Sequence, residues 1–402
     1  MTDQQLMTTS EAIAALAINR QTLYAYVSRG LIRSEGGPGR ERRYRAADID
    51  ALRERKARGR GAAAVATQTL NFGTPVLDSA LTAITADGLY YRGRDACALA
   101  GTATLEDTAR LLWNCEINPF DSADSPAVPD ALRRAWLAAE SLPFVDRCLA
   151  LLPVAASRDP RAWNSDPAAT TAAAARVLRL LTAILAGRPP SPLPMHHQLA
   201  AAWALDGDGA DLARAALVLS ADHELNASTF AVRIAASTGV TPWGATVAGL
   251  AVLQGPLHGG MTRRVSALLD SLAGEADLEA AIAERVQSGA RVPGFGHRLY
   301  PDGDVRARFL LDRLSHRLGD HPETKRIEQL VVAVAKVLGQ KPTIDVATVA
   351  IERACGMPRG AALALFLLGR AAGWLAHWME QRDGAQVIRP RARYVGVAPP
   401  AR

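Results

Sequence analysis

The chain has 402 residues, is 49% hydrophobic but only 5% aromatic, and carries a net charge of +6. That length allows roughly two or three domains with a sizeable core, and so few aromatics leave Ala, Leu and Val to fill it, which suits close-packed helices. Four cysteines, Cys97, Cys115, Cys148 and Cys355, lack metal-ligand spacing; they exclude a disulfide frame or cysteine metal cluster and read as reduced cytosolic thiols.

The start, Met-Thr-Asp-Gln-Gln, has no basic n-region and no apolar stretch behind it. No signal peptide is expected, and the cytoplasm is the expected compartment. Residues 1–60 hold twelve Lys or Arg against seven Asp or Glu, so +5 of the charge sits in the first sixth of the chain. A detachable basic module over 1–57 accounts for this, with a linker at 58–68 and nucleic acid as the partner class.

Within that module Thr8 and Glu11 have capping-box spacing, and Ile13 and Leu16 form a short apolar stripe. Asn19 is placed to cap a second helix running from Arg20 to Val27, with Gly30 ending it. This is a helix-turn-helix pattern, with Arg20, Gln21 and Thr22 on the first turn of the second helix, where that motif meets base edges. Leu31-Ile32-Arg33, a glycine-rich turn at 36–39, and Arg42-Arg43-Tyr44-Arg45 suggest a wing. Its Arg42, Arg43 and Arg45 suit phosphate contacts. Ile49 and Leu52 begin a closing helix. The pattern looks like a winged domain of MerR or excisionase type. The plain alternative is a small helical domain whose arginines are merely solvated.

The second domain is expected over 69–402. Residues 82–93 read as two short strands around Asp87-Gly88. Apolar periodicity then predicts helices over 168–187, 210–220 and 330–338, with prolines 189, 190, 192 and 194 breaking one helix before the next. The apolar run Ala361–Met379 carries Arg370 and His377 and reads as a buried soluble helix, not a membrane span. No Gly-rich phosphate loop or metal cluster is present in this sequence, and a mainly α body follows.

Four segments carry chemistry: Ala-Asp-His-Glu at 221–224, Gly-Pro-Leu-His-Gly-Gly at 255–260, Gly-Phe-Gly-His-Arg at 294–298 and Pro-Thr-Ile-Asp at 342–345. Each sets an ionisable side chain among small or turn-forming residues. A lone histidine of this kind is structural about as often as not. Together they supply what carbon–carbon condensation at a thioester methyl needs. That methyl is a very weak acid, so a base must lie near it and a hydrogen-bond donor must await the enolate oxygen. The acceptor ketone needs its own donor, and keto-acid carboxylates need arginines.

In this order the segments resemble the citrate synthases, over roughly residues 70–396. The resemblance implies a two-domain helical fold, with a large subdomain at 69–260 and 358–402 and a small one at about 261–357. It implies a homodimer that acts on an acyl-CoA thioester and a keto acid, with no further cofactor. By the same resemblance Asp345 is the base, His258 the enolate donor and His297 the ketone polariser. His223, Arg306 and Arg389 bind the keto acid. Val292, Pro293, Gly294, Phe295 and Gly296 cradle CoA. Asn226 and Ser228 are placed to orient His258.

Some positions depart from the family. Met261-Thr262-Arg263 follows the glycines, Val346 follows the aspartate, and Pro301 stands where a basic residue serves the CoA phosphates, leaving Arg298 as the substitute. A third carboxylate arginine is expected some twenty residues beyond Arg389, past the last residue, Arg402; Arg391, Arg393 and Arg402 are the candidates to replace it. Two readings stay open: a condensing enzyme making citrate, or 2-methylcitrate from propionyl-CoA, and a DNA-binding ligand sensor on that scaffold.

Overall fold

The computed structural model describes residues 6–16, 18, 20–28, 31–36, 42–46, 48–49, 77–85, 88–121, 130–384, 386–392 and 394–397. The expected linker, Asn19, Gly30, Leu52, Asp87, Arg393 and Arg402 lie outside them. The chain divides into two compact units, Met1–Asp78 and Ser79–Arg402.

In the first unit, β1 (Leu6–Met7) precedes α1 (Thr9–Leu16) and α2 (Arg20–Ser28). The capping box is formed: Glu11 N donates to Thr8 Oγ1 at 3.3 Å, and Thr8 N donates to Glu11 Oε2 at 2.7 Å. β2 (Ser34–Gly36) and β3 (Arg42–Arg45) pair antiparallel, Ser34 opposite Tyr44 and Gly36 opposite Arg42. β1 adds to the far edge of β3, a strand the sequence reading did not include. The first wing strand also starts three residues later than Leu31, because Ile32 is drawn into a small core with Ala12, Leu16, Leu23, Tyr44 and Ile49.

The second unit opens with a small sheet. β4 (Thr82–Ile84) pairs with β5 (Leu89–Tyr91), which also pairs with β6 (Arg94–Asp95). Helices follow: α3 (Ala96–Thr102), α4 (Leu105–Trp113), α5 (Asp130–Ala139), α6 (Phe144–Ala156) and, after a 3-10 turn, α7 (Pro167–Ala186). Gly187 ends α7 in the left-handed conformation, and the prolines carry the chain to α8 (Met195–Ala202). Next come α9 (Gly207–Ser220), α10 (Ala227–Ser237) and α11 (Pro242–Leu253). α12 (Gly260–Ser271), α13 (Leu278–Gln287), α14 (Val305–Leu318), α15 (Pro322–Leu338) and α16 (Ile344–Ala354) form the next group. α17 (Ala361–Asp383) closes the series.

α17 is the axle of this unit. It packs against α4, α7, α9, α10, α11 and α16, so nearly every face of it is apolar, as its sequence requires. α7 and α17 are each long and apolar enough to cross a bilayer, but 72% and 83% of their most apolar windows are buried by the rest of the unit. α12 to α16 pack on one another, and α14 and α16 also lean on α9. The residues with candidate chemistry lie where these two groups of helices meet.

Candidate active site

The segment Ala221-Asp222-His223-Glu224 is the turn between α9 and α10, and Glu224 there takes a positive φ of 58°. His223 is buried, and its Nε2 lies 3.0 Å from the Tyr300 hydroxyl. Its ring meets the His297 ring edge-on, with centroids 5.4 Å apart. Burial, then the charges of Arg306 and Arg370, hold its pKa well below the ordinary histidine value, so the ring is neutral.

His258 lies on the turn that leads into α12. Its Nε2 is 2.8 Å from Ser228 Oγ. Ser228 is in the first turn of α10, and its hydroxyl donates to Asn226 Oδ1 at 2.8 Å. Asn226 caps that helix and reaches His258 only through Ser228. Burial and the Arg370 charge push His258 down to about 4, so this ring too is neutral at physiological pH.

His297 and Asp345 come together through backbone. Gly296 N donates to Lys341 O at 2.9 Å, Thr343 N donates to Gly294 O at 2.8 Å, and Phe295 bridges Pro342. The 294–297 loop is thereby laced to the segment that starts α16. Gly294 is required here: its φ is +83°, and a Cβ would stand 2.5 Å from Val265 Cγ2 and 2.7 Å from Val346 Cγ2. The Gly294 carbonyl and Gly296 N–H of the expected CoA cradle are therefore committed to aligning the segments that carry His297 and Asp345. Val292, Pro293 and Phe295 are buried beside them, and Gly296 is exposed. His297 Nδ1 accepts the Leu299 N–H at 3.2 Å, which leaves Nε2 to carry the ring proton as a donor. Burial, then Arg306, lowers its pKa.

Asp345 sits in the first turn of α16 and accepts the Thr343 hydroxyl at 3.1 Å. Burial outweighs that bond and raises its carboxyl to about 6. That suits a base which must be ionised near neutrality yet still hold a proton well.

Arg306, on α14, is 3% exposed and bound at two points by Asp304, at 2.9 and 2.8 Å. Burial opposes its charge, but Asp304 more than compensates and raises its pKa. Asp304 also accepts the Ile344 N–H at 3.0 Å, tying the arginine to the helix that carries Asp345.

Arg389 is not among these groups. It lies exposed on the extended segment after α17, as does Arg391. The buried guanidinium beside these groups is Arg370, on α17. Its Nε donates to Ser220 O at 2.9 Å and it stacks over Phe366, centroid 5.0 Å, whose ring also faces His258. Nη1 and Nη2 are buried and have no hydrogen-bond partner among the described residues. Burial and Arg306 bring this guanidinium down to about 10 although Asp222 opposes them. Such a group is costly to hold unless an anion completes it. The sequence reading passed over Arg370, although an arginine inside a long apolar run is itself a signal that some anion must meet it. Tyr300 and Asp304 were missed too. Arg298, the substitute proposed for CoA phosphates, is exposed.

In the first unit Arg20 and Gln21 are exposed on the leading turn of α2, and Thr22 is half-buried. Arg42 is exposed and Arg43 partly so, while Arg45 is paired with Glu35 at 2.8 Å, which neutralises it on the wing.

Among known proteins, the family described as citrate synthase, C-terminal domain, matches residues 70–391, and a helix-turn-helix domain matches residues 6–57. Citrate synthase 2 of Bacillus subtilis is 35% identical over 187 residues, covering 45% of this chain and 50% of that protein. A 2-methylcitrate synthase of Shewanella oneidensis is 32% identical over 186 residues, covering 46% and 50%. The chain spans about half the length of the curated relatives it matches. Among solved structures, the citrate synthase of Thermotoga maritima superposes with a TM-score of 0.69 at 26% identity, covering 82% of this chain and 96% of that one. The Thermoplasma acidophilum citrate synthase, in a ternary complex with carboxymethyl coenzyme A and oxaloacetate, gives 0.72 at 26% identity, covering 83% and 97%. With the family match spanning most of its length and the helical fold shared, this chain belongs to the citrate synthase family and carries a helix-turn-helix domain at its N-terminus.

Proposed function

We infer that the protein condenses acetyl-CoA with oxaloacetate to give citrate and free CoA. Asp345 takes a proton from the thioester methyl while neutral His258 donates to the carbonyl oxygen on which charge develops. The carbanion attacks the ketone, polarised by His297, and water then hydrolyses the citryl thioester. His223, Arg306 and Arg370 hold the keto acid, with Arg370 in the place first assigned to Arg389. The observation that carries this reading is the Arg370 guanidinium, buried with two donors unmet in a pocket of neutral histidines. A carboxylate of the substrate satisfies those donors in bidentate fashion.

The match to a 2-methylcitrate synthase supports propionyl-CoA as the other thioester. One methylene changes binding by only about 1–3 kcal/mol, so both are expected to be accepted to some degree. A homodimer is part of the reading, supported by the exposed apolar residues Val387, Tyr394, Val395 and Val397 after α17. A reducing cytoplasm is supported by four free cysteines. DNA binding by the first unit is supported by the exposed Arg20, Gln21 and Arg42. A sensor that had abandoned catalysis would need the carboxylate clamps but not an acid with the raised pKa of Asp345.

The test is CoA release from acetyl-CoA by purified protein. Release that depends on oxaloacetate and is lost in Asp345→Ala supports the reading. Absence of thiol release with acetyl-, propionyl- and longer acyl-CoA refutes it in favour of a sensor.

A further inference from the structure

The turn that presents His223 begins without the usual end to a helix. α7 and α15 close on the left-handed glycines Gly187 and Gly339. α9 closes on Ala221 in a right-handed conformation, and no glycine follows before α10. Its last carbonyls therefore need partners from elsewhere, and each one from Val218 to Asp222 has one. The Tyr91 hydroxyl lies 3.1 Å from Val218 O and 3.3 Å from both Leu219 O and Asp222 O, and it accepts the Asp222 N–H at 3.4 Å. Arg370 Nε donates to Ser220 O at 2.9 Å, and Gly373 N donates to Ala221 O at 3.0 Å.

These partners come from two sources. Arg370 and Gly373 belong to α17, which passes so close that a Cβ on Gly373 would stand 2.2 Å from Ala221 O. Tyr91 belongs to β5 and is fully buried. Burial raises its pKa, so the hydroxyl keeps its proton. Of the three, only Tyr91 holds Asp222, the residue next to His223, by its backbone N–H and carbonyl. On the other side of His223, Glu224 takes a φ of 58°, which persists only where the surroundings over-determine it. Glu224 N donates to Asp222 Oδ2 at 3.2 Å, so this residue too is referenced to the one that Tyr91 holds.

We propose that Tyr91 is a positioning residue for the keto-acid subsite: its hydroxyl, brought in from the β4–β5 hairpin, fixes the Asp222 backbone and through it the place of the His223 imidazole. This rests on the condensing reading above for its kinetic consequence, though not for its structural one. Without the hydroxyl, Asp222 loses its partner at both backbone groups, the turn between α9 and α10 relaxes, and His223 drifts from its place beside Tyr300 and His297.

The test is made on the full chain with Tyr91→Phe, His223→Ala and the double variant. Phe keeps the buried ring, and Arg370 and Gly373 keep their bonds to the turn. Tyr91→Phe is expected to raise KM for oxaloacetate about tenfold and to leave KM for acetyl-CoA within about twofold, as when one group of a single subsite is misplaced. Oxaloacetate binding followed by calorimetry is expected to weaken by the same factor, and to weaken no further when Tyr91→Phe is added to His223→Ala. Lowered stability with KM for oxaloacetate unchanged, or an equal loss with and without His223, overturns the proposal and makes Tyr91 a packing residue. If Tyr91→Phe does not fold in plain buffer, wild type and variant are compared in sucrose, which favours the compact state, and the same outcomes decide. If the wild-type protein releases no CoA, the condensing reading fails, and 15N-labelled histidine decides the role of Tyr91. The His223 ring signals, assigned by their loss in His223→Asn, move in Tyr91→Phe if the hydroxyl places that ring, and unchanged signals overturn the proposal.

Discussion

Replacing Arg370 by Met separates what this residue does for the fold from what it does for a ligand. Burial and Arg306 bring the guanidinium from 12.5 down to about 10. At about 1.4 kcal/mol per tenfold, the folded protein bears roughly 3 kcal/mol for keeping it charged. Met removes that cost. It also gives up the Nε bond to Ser220 O, worth about 1.5–3 kcal/mol, and the stacking over Phe366, about 1 kcal/mol. The two sides nearly cancel, so Arg370→Met should unfold within about 1 kcal/mol of wild type. The keto acid, by contrast, loses a buried charge-assisted pair worth about 2–5 kcal/mol, a rise in its KM of about thirty- to several-thousand-fold. Denaturant unfolding monitored by circular dichroism gives the first quantity, and CoA release against oxaloacetate at saturating acetyl-CoA gives the second. A variant destabilised by more than about 3 kcal/mol whose KM for oxaloacetate is unchanged would show that the guanidinium is a structural element and refute the reasoning.

Other consequences follow from the same geometry. Asp345 must be ionised to act as a base and its carboxyl is raised to about 6, so kcat/KM should fall about tenfold per pH unit below that value; because the Thr343 hydroxyl favours the charged form, Thr343→Val should move this limb to higher pH, and a shift to lower pH would contradict the assignment. Gly294→Ala meets Val265 and Val346 at a φ of +83° and should cost about 2–5 kcal/mol of stability from left-handed strain and overpacking together, partly restored by Val265→Ala; a neutral effect in denaturant titrations would count against the tight loop. In the full chain, Arg20→Ala with Arg42→Ala should weaken salt-dependent binding to duplex DNA and leave CoA release intact; DNA binding that survives both changes would remove the assignment of that surface.

The candidate residues His223, His258, His297 and Asp345 were legible because short local segments carry them, and their roles came from the resemblance those segments bear to the citrate synthases. His258 and His297 each stand beside glycines whose positions are legible as turns, and Asp345 follows a Pro-Thr pair that marks a helix start. Helices rich in Ala and Leu were legible for the same reason: the expected 168–187 is observed as Pro167–Ala186. Arg370 escaped because its context is uniformly apolar, and a single charge there reads as an oddity of a core helix until its two unmet donors are seen in space. Arg389 entered through the resemblance to the citrate synthases alone, and in the structure it is exposed after α17. Asn226 and Ser228 were expected beside His258, but the route through Ser228 depends on how α10 packs against α11 and the turn after it, which no local pattern encodes. β1 and β6 were missed because two-residue strands carry too little alternation to register.

The central claim is that Asp345, His258 and His297 work as one site on an acyl-CoA thioester and a keto acid. Free CoA is to be measured side by side with acetyl-CoA and propionyl-CoA, with and without oxaloacetate, for wild type and Asp345→Ala. The account predicts oxaloacetate-dependent release from at least one thioester, reduced at least about a hundredfold in the variant. Release that ignores oxaloacetate, or that persists without the Asp345 carboxylate, would contradict it.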